Sequence, residues 1–277
     1  SLRMCLVFFC FAIAGCALLK TGQVEEVAPL DMSRAEIMAK LRQRRYLRAY
    51  RGMTFMQLRY HGDRSQARHE NPLVPQGTFA GNVALVLRKP DSLRMEPLSP
   101  FGTPLVVVVA HGASFRAYSP SRNTVYMGRT DRRGIEEILG IPLNSGIFIK
   151  LLLGDWAAVM GGEENLELKK PGSVYVLETK RRAGGALSGF IELEPRGLHP
   201  VKMELRTQRG AVVVHYGEFI KTANVWRPSQ VEILGPDGKN RLHISYPTDE
   251  DVMDTTLPDE LFRLEPPRGA RTLWLGG

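Results

Sequence analysis

The sequence predicts an α+β fold that is mainly antiparallel β, built on a large sheet curved or closed toward a barrel. Three observations predict it. A series of short, alternating apolar segments runs from Met53 to Tyr246, spaced by turn signals such as Lys89-Pro90-Asp91, His111-Gly112, Arg209-Gly210 and Asp237-Gly238. Helical patterning interrupts that series between Asp131 and Val159. The three cysteines, Cys5, Cys10 and Cys16, all lie near the N-terminus of a 277-residue chain. The folded part therefore has no disulfide framework, thiolate metal site or cysteine nucleophile, and must be held by its own core, as a single domain.

The N-terminal segment reads as an export signal. Arg3 precedes an apolar run, Leu6 to Ile13, that leads into Ile13-Ala14-Gly15-Cys16. A small residue before a cysteine at the end of such a run resembles a bacterial lipobox. That resemblance implies cleavage before Cys16 and a diacylglyceryl thioether on its sulfur. The apolar stretch is about 15 residues, short of the ~20 needed to span a bilayer; a plain secretory signal gives the cysteine no role. The chain starts at Ser1, so an initiator or part of the charged region is expected ahead of it. The expected division is residues 1–15 as signal peptide, 16–30 as lipidated tether and 31–277 as one domain with a C-terminal tail. Ala17, where an aspartate would signal inner-membrane retention in enterobacterial sorting, favours the outer membrane.

A helix is expected from Asp31 or Ser33, both good N-caps, through Tyr50, with Gly52 ending it. Strands are expected at Met53–His61, Phe79–Arg88, Asp91–Leu98, Leu105–Ala110, Ser114–Tyr118 and Thr124–Met127. Phe79, Gly81, Val83, Leu85 and Leu87 share one face. Asp131 can cap a short helix through Leu139, and Asn144 or Ser145 a second over Gly146–Leu153. Only Lys150 is charged in the second. A helix apolar almost all round is buried, here as a plug or lid over the interior of the sheet. Strands resume at Val174–Thr179, Ser188–Glu194, Pro200–Thr207, Ala211–Tyr216, Gln230–Leu234 and Arg241–Tyr246.

Charge and motif content narrow the function. The net charge is +8, with a basic stretch at 34–51 (Arg34, Lys40, Arg42, Arg44, Arg45, Arg48 and Arg51) and an acidic one at 248–261. The basic stretch either faces anionic lipid or an acidic partner, or is a solvated helix face. No nucleic acid is expected as partner, since no nucleic-acid module is present. There is no Gly-x-Ser-x-Gly elbow, Walker loop or GxGxxG. The six histidines are scattered without HExxH spacing, and Asp249-Glu250-Asp251 lacks the spacing of a calcium loop. No enzyme activity, metal or cofactor is expected.

The order of elements resembles the LolA/LolB lipoprotein-localisation superfamily, and within it the membrane-anchored, LolB-like outer-membrane receptors. Four segments carry the resemblance. Ser99-Pro100-Phe101-Gly102-Thr103 is similar to a protruding Pro-Leu-Gly turn. Ile138-Leu139-Gly140-Ile141-Pro142-Leu143-Asn144-Ser145, with Leu151-Leu152-Leu153-Gly154, is similar to a helix linker. Val213-Val214-His215-Tyr216-Gly217, followed by Pro228 to Leu234, resembles a hairpin. Leu261-Phe262-Arg263-Leu264-Glu265-Pro266-Pro267-Arg268-Gly269 resembles a C-terminal signature of the carrier branch. Pro104 directly after the turn departs from the family pattern.

The resemblance implies an unclosed curved β-barrel with short helices covering an apolar cavity. It implies a lipid-anchored protein, facing the periplasm from the outer membrane, that binds acyl chains of client lipoproteins and helps insert them in that membrane. A periplasmic carrier protein is the implied partner. Cys16 is the implied lipid-attachment site and Phe101 the residue that enters the membrane. Leu85, Leu87, Val106, Val108, Phe148 and Leu152 are the candidate cavity-lining residues; ordinary core packing is the alternative for each. Two other readings stand beside this one: a structural or interaction lipoprotein with the same fold and a filled interior, and a periplasmic hydrolase.

Overall fold

The computed structural model describes residues 31–61, 77–130, 134–170, 172–180, 187–222, 224–247 and 256–275. The expected signal peptide, Cys16, the tether, the Asp131 cap and residues 248–255 of the acidic stretch lie outside the described residues.

Helix α1 (Arg34–Arg42) opens behind a capping box. The Ser33 side chain accepts from the Glu36 backbone N–H, and the Glu36 carboxylate accepts from the Ser33 backbone N–H at 2.7 Å. Hydrogen bonds from the Ser33 side chain and backbone hold that carboxylate below its usual range. The helix is shorter than the apolar spacing predicts. It stops at Arg42, with Gln43 as C-cap, and Gly52 lies inside strand β1 (Ala49–Arg59). Tertiary bonds claim the intervening residues: the Arg44 guanidinium donates to the Leu198 carbonyl at 2.9 Å and to the Gly197 carbonyl, and the Arg45 carbonyl accepts from Trp226 N–H at 2.7 Å. Gly52 is required because the Tyr50 ring lies over it; a Cβ there would sit 2.6 Å from the Tyr50 hydroxyl.

The expected strands form with shifts of a residue or two at their ends. They are β2 (Thr78–Arg88), β3 (Ser92–Pro97), β4 (Val107–His111), β5 (Ser114–Ser119) and β6 (Thr124–Arg129) before the helices. Helices α2 (Gly134–Leu139), α3 (Ser145–Leu152) and α4 (Trp156–Val159) follow. Then come β7 (Leu166–Lys169), β8 (Tyr175–Thr179), β9 (Ser188–Leu193), β10 (Pro200–Thr207) and β11 (Gly210–Tyr216). The last elements are β12 (Phe219–Thr222), β13 (Val225–Pro228), β14 (Gln230–Leu234), β15 (Arg241–Ser245) and β16 (Arg271–Trp274). Helix α4 and strands β7, β12, β13 and β16 have no counterpart in the sequence-based expectation. Each is four residues long, too short to carry a period.

Among the described residues, fourteen strands form one sheet in the order β16-β6-β5-β4-β3-β2-β1-β15-β14-β11-β10-β9-β8-β7, and β12 and β13 pair separately as a flap. Pairing is antiparallel except for β16, which joins β6 in parallel. The sheet ends at β16 and β7 and does not close. Inward residues from distant strands, such as Leu177 on β8 and Tyr126 on β6, share one apolar cluster with α1, α2, α3 and α4. The sheet therefore curls around the helices.

Alternation places a second, smaller cluster on the outer face. Val86 and Val109 are out of phase with the inward Leu85, Leu87, Val108 and Ala110, and pack with Ala49 against Leu257, Phe262 and Leu264 of the C-terminal segment. That segment is a strap, and three outward arginines hold its carbonyls. Arg88 donates to Leu257 O at 2.5 Å, Arg94 to Arg263 O at 3.1 Å and Arg116 to Leu264 O at 3.1 Å. Arg88 also pairs with Asp259 at 2.6 Å, and its guanidinium lies 4.6 Å from the centroid of the Phe262 ring. Strand β16 continues the strap and ends it at the sheet edge.

Phe262 is the strap's anchor, 3% exposed and stacked on His111 at 5.9 Å. Phe262→Ala is expected to cost about 3 kcal/mol in urea unfolding and to speed tryptic cleavage at Arg263 and Arg268. A variant with wild-type stability and wild-type cleavage would show that the strap is held by its polar contacts alone.

Candidate functional site

The inner face of the sheet and the helices against it form the candidate site. Cross-strand register aligns Leu85 with Met95, Met95 with Val108 and Val108 with Ala117. A parallel row runs through Leu87, Leu93, Ala110 and Phe115. Helix α3 packs on this face. Asn144 caps it, its Oδ1 accepting from Ile147 N–H at 2.8 Å. Gly154 (φ +75°) turns the chain at its end, where N–H of Gly154 and of Asp155 return to Leu151 O and Lys150 O.

The structure brings the six sequence-predicted cavity residues together. Leu85, Leu87, Val106, Val108, Phe148 and Leu152 belong to one cluster, each at most 1% exposed. Their neighbours in it include Trp156 and Phe115. A cleft of about 300 Å³ does open on the outer face, between Val109, His111, Ser114 and Arg116 of the sheet and Phe262 to Glu265 of the strap. The sequence reading missed it, although outward arginines on otherwise apolar strands are a signal of a segment that covers them.

Phe101 has the opposite environment. It is 92% exposed, at the tip of the loop that joins β3 to β4. The loop is braced: Ser99 N–H donates to Thr103 O at 2.8 Å, Gly102 N–H to Ser99 O at 2.9 Å, and the Ser99 and Thr103 hydroxyls bond at 2.7 Å. Gly102 takes φ +78°, which suits glycine. The ring does not fold back on the sheet, and Leu105, half-exposed, flanks the same loop. Exposing a phenyl ring on a rigid tip forgoes its burial energy unless an apolar medium receives it.

Sequence reasoning also missed the polar groups around the C-terminal end of α3. The Tyr216 hydroxyl donates to Leu151 O at 3.3 Å and the Tyr246 hydroxyl to Leu152 O at 2.9 Å. Burial pushes both phenols above their usual pKa, so both remain donors. The β12–β13 flap closes this end: Phe219 and Pro228 approach Gly154 so closely that a Cβ there would lie 3.1 Å and 3.0 Å from them. On the flap's other side, His199 stacks on Phe219 at 5.0 Å and lies 4.4 Å from Trp226. Its Nδ1 is 3.2 Å from an Arg44 guanidinium nitrogen. Burial, then the Arg44 charge, lowers the His199 pKa to about 4. Among the described residues no group of His, Cys, Asp and Glu is arranged to hold a metal ion. No described helix is long and apolar enough to cross a membrane.

No protein-family model matches the sequence, and no curated protein matches it. Solved structures do match. A DUF1329 family protein from Desulfovibrio piger ATCC 29098 is similar at 8% identity and TM-score 0.51, over 83% of this chain and 95% of that chain. A domain from Vibrio parahaemolyticus, described as an outer membrane lipoprotein-sorting protein domain, is similar at 13% identity and TM-score 0.50, over 82% of this chain and 94% of that one. A LolA superfamily protein from Nitrosomonas europaea is similar at 11% identity and TM-score 0.45, over 84% and 98%. For the first two, at these identities, the likeness is one of fold alone, that of an unclosed, mainly antiparallel sheet with a few short helices.

Two measurements check the polar end of the site. Tyr246→Phe removes the donor to Leu152 O and is expected to cost about 1–3 kcal/mol in urea unfolding at pH 7; an unchanged midpoint would mean the hydroxyl contributes nothing. For His199 the unfolded chain takes up a proton below about pH 6.5 and the folded chain only near 4. The stability from neutral His199 is thus complete above pH 6.5 and declines as pH falls toward 4. Between pH 6.5 and 5, above carboxylate titration, the urea midpoint should fall in the wild type and stay flatter in His199→Phe. Equal slopes would exclude His199 as the source.

Proposed function

We propose that this protein is a lipid-anchored acceptor for lipoproteins. In this reading it hangs from the outer membrane by a diacylglyceryl group on Cys16, faces the periplasm, and takes the acyl chains of client lipoproteins from a periplasmic carrier. It then helps insert them in the membrane. The observation that carries the reading is Phe101, a 92%-exposed aromatic ring on a hydrogen-bonded turn that joins neither apolar cluster of the described residues. Supporting it is a sheet apolar on its inner face and covered by a helix, α3, whose only charge is Lys150. Burying an acyl chain is worth about 0.8 kcal/mol per CH₂. A transient host must offer a refuge of similar quality and give the chain up again at a membrane. Leu85, Leu87, Val106, Val108, Phe148 and Leu152 would meet the chain, once α3 or its neighbours move off the sheet. The fold shared with a lipoprotein-sorting domain agrees with this assignment.

A second reading is favoured by the closed packing of those six residues: a structural or interaction lipoprotein with the same fold and no transfer activity. The two differ in whether the protein binds an acyl chain at all.

The test is delivery of a fluorescent triacylated lipopeptide from the protein to vesicles of outer-membrane lipid composition. Phe101→Glu is expected to leave thermal unfolding unchanged and to slow delivery at least tenfold. Unchanged delivery by the variant would remove the membrane role of Phe101, and a wild type that takes up no lipopeptide would leave only the structural reading.

A further inference from the structure

Arg227 is a buried cation that the described residues do not satisfy. It sits on β13 of the flap and is 1% exposed. Its Nη2 donates to Pro247 O at 2.6 Å. Among the described residues its Nε and Nη1 have no hydrogen-bond partner, and none of the ion pairs includes it. The aromatic pair facing Arg227, Tyr50 and Tyr246, stands edge to face at 5.1 Å. Both hydroxyl protons of that pair are directed away, to Met53 O and Leu152 O. Burial lowers the guanidinium pKa while the two tyrosines act the other way.

A desolvated guanidinium with open N–H groups is costly, and a well-packed apolar residue of similar volume would be at least as stable in its place. An incoming group with negatively charged oxygens would remove that cost. The position specifies more. Tyr246, which faces Arg227, reaches Leu152 of α3 through its hydroxyl. Arg227 thus lies where the polar end of the site meets the apolar interior that holds Phe148, Leu151 and Leu152. A ligand spanning that boundary has a hydrocarbon body and an oxyanion head.

We propose that Arg227 is a head-group receptor, binding the oxyanion of an acyl-chain ligand, either a fatty-acid carboxylate or the phosphate of an anionic phospholipid, whose chain lies along α3. This rests on the acyl-chain reading above in needing the apolar interior to admit a chain, and names a second class of ligand for it, one whose head, unlike the neutral lipid of a lipoprotein, is an oxyanion. The test titrates the full chain with palmitate against methyl palmitate, and with lysophosphatidylglycerol against lysophosphatidylcholine. The wild type should bind the anionic-headed member of at least one pair ten or more times tighter; the pair that shows the preference identifies the head. Arg227→Met should bind the neutral members as the wild type does and lose the preference, while Arg227→Lys keeps part of it. In the unaltered protein the Arg227 Nε–H resonance should shift on adding the preferred anionic ligand and not its neutral counterpart, a readout that does not depend on any variant folding. Binding without head-group preference in the wild type, or a preference retained in folded Arg227→Met, overturns this inference alone. Failure of all four ligands to bind overturns it together with the acyl-chain reading.

Discussion

The burial of α3 is the constraint on which the rest of the structure depends. A helix with one charge in eight residues has to be kept from water, yet its last carbonyls have no partners within the helix. The fold meets both demands with the same sheet. Its inward aliphatic rows cover the apolar sides of α3, and Tyr216, at the end of β11, and Tyr246, just past β15, carry hydroxyls to Leu151 O and Leu152 O. Gly154 lets the chain turn without a side chain in the space that Phe219 and Pro228 need. Curl of the sheet, closure by the flap and the position of Arg227 follow from having to enclose the helix and its end.

The outer face shows what such a curled sheet requires on its other side. Val86, Val109 and Val107 leave an apolar strip that water would otherwise wet, and the strap covers it. The strap's own carbonyls would be stranded over that strip without donors. Arg88, Arg94 and Arg116 supply them from the sheet, and β16 terminates the strap by pairing with β6. The strap therefore completes the sheet as well as shielding it. The loop that carries Phe101 springs from the same strands, so a rigid support stands behind an exposed ring.

Much of this was legible in the sequence because strand and helix periods are local. The alternation at Phe79, Val83, Leu85 and Leu87 assigned the inner face, the run Gly146 to Leu153 announced a buried helix, and Pro100-Phe101-Gly102 announced an exposed tip. The stretch from Arg44 to Tyr50 was misread for an equally physical reason. Its helical spacing is real, but bonds from Arg44 to Leu198 and Gly197, and from Trp226 to Arg45, cross more than 150 positions of sequence and outweigh a weak local preference. The four-residue strands and the buried Arg227 were invisible because neither has a local signature; an arginine in Val-Trp-Arg-Pro reads as a surface residue.

By itself the sequence determined that the chain forms one mainly antiparallel sheet around an apolar interior, with a hydrophobic helix inserted and an aromatic turn projecting. Periodicity and turn chemistry act over a few residues, and so they survive without knowledge of partners. Only the tertiary structure decided that the C-terminal segment straps the sheet's outer face, and that a guanidinium lies buried with N–H groups open among the described residues beside the end of α3. Those features arise where segments far apart in the chain compete for the same surface and the same hydrogen bonds, and no local pattern records the outcome of that competition.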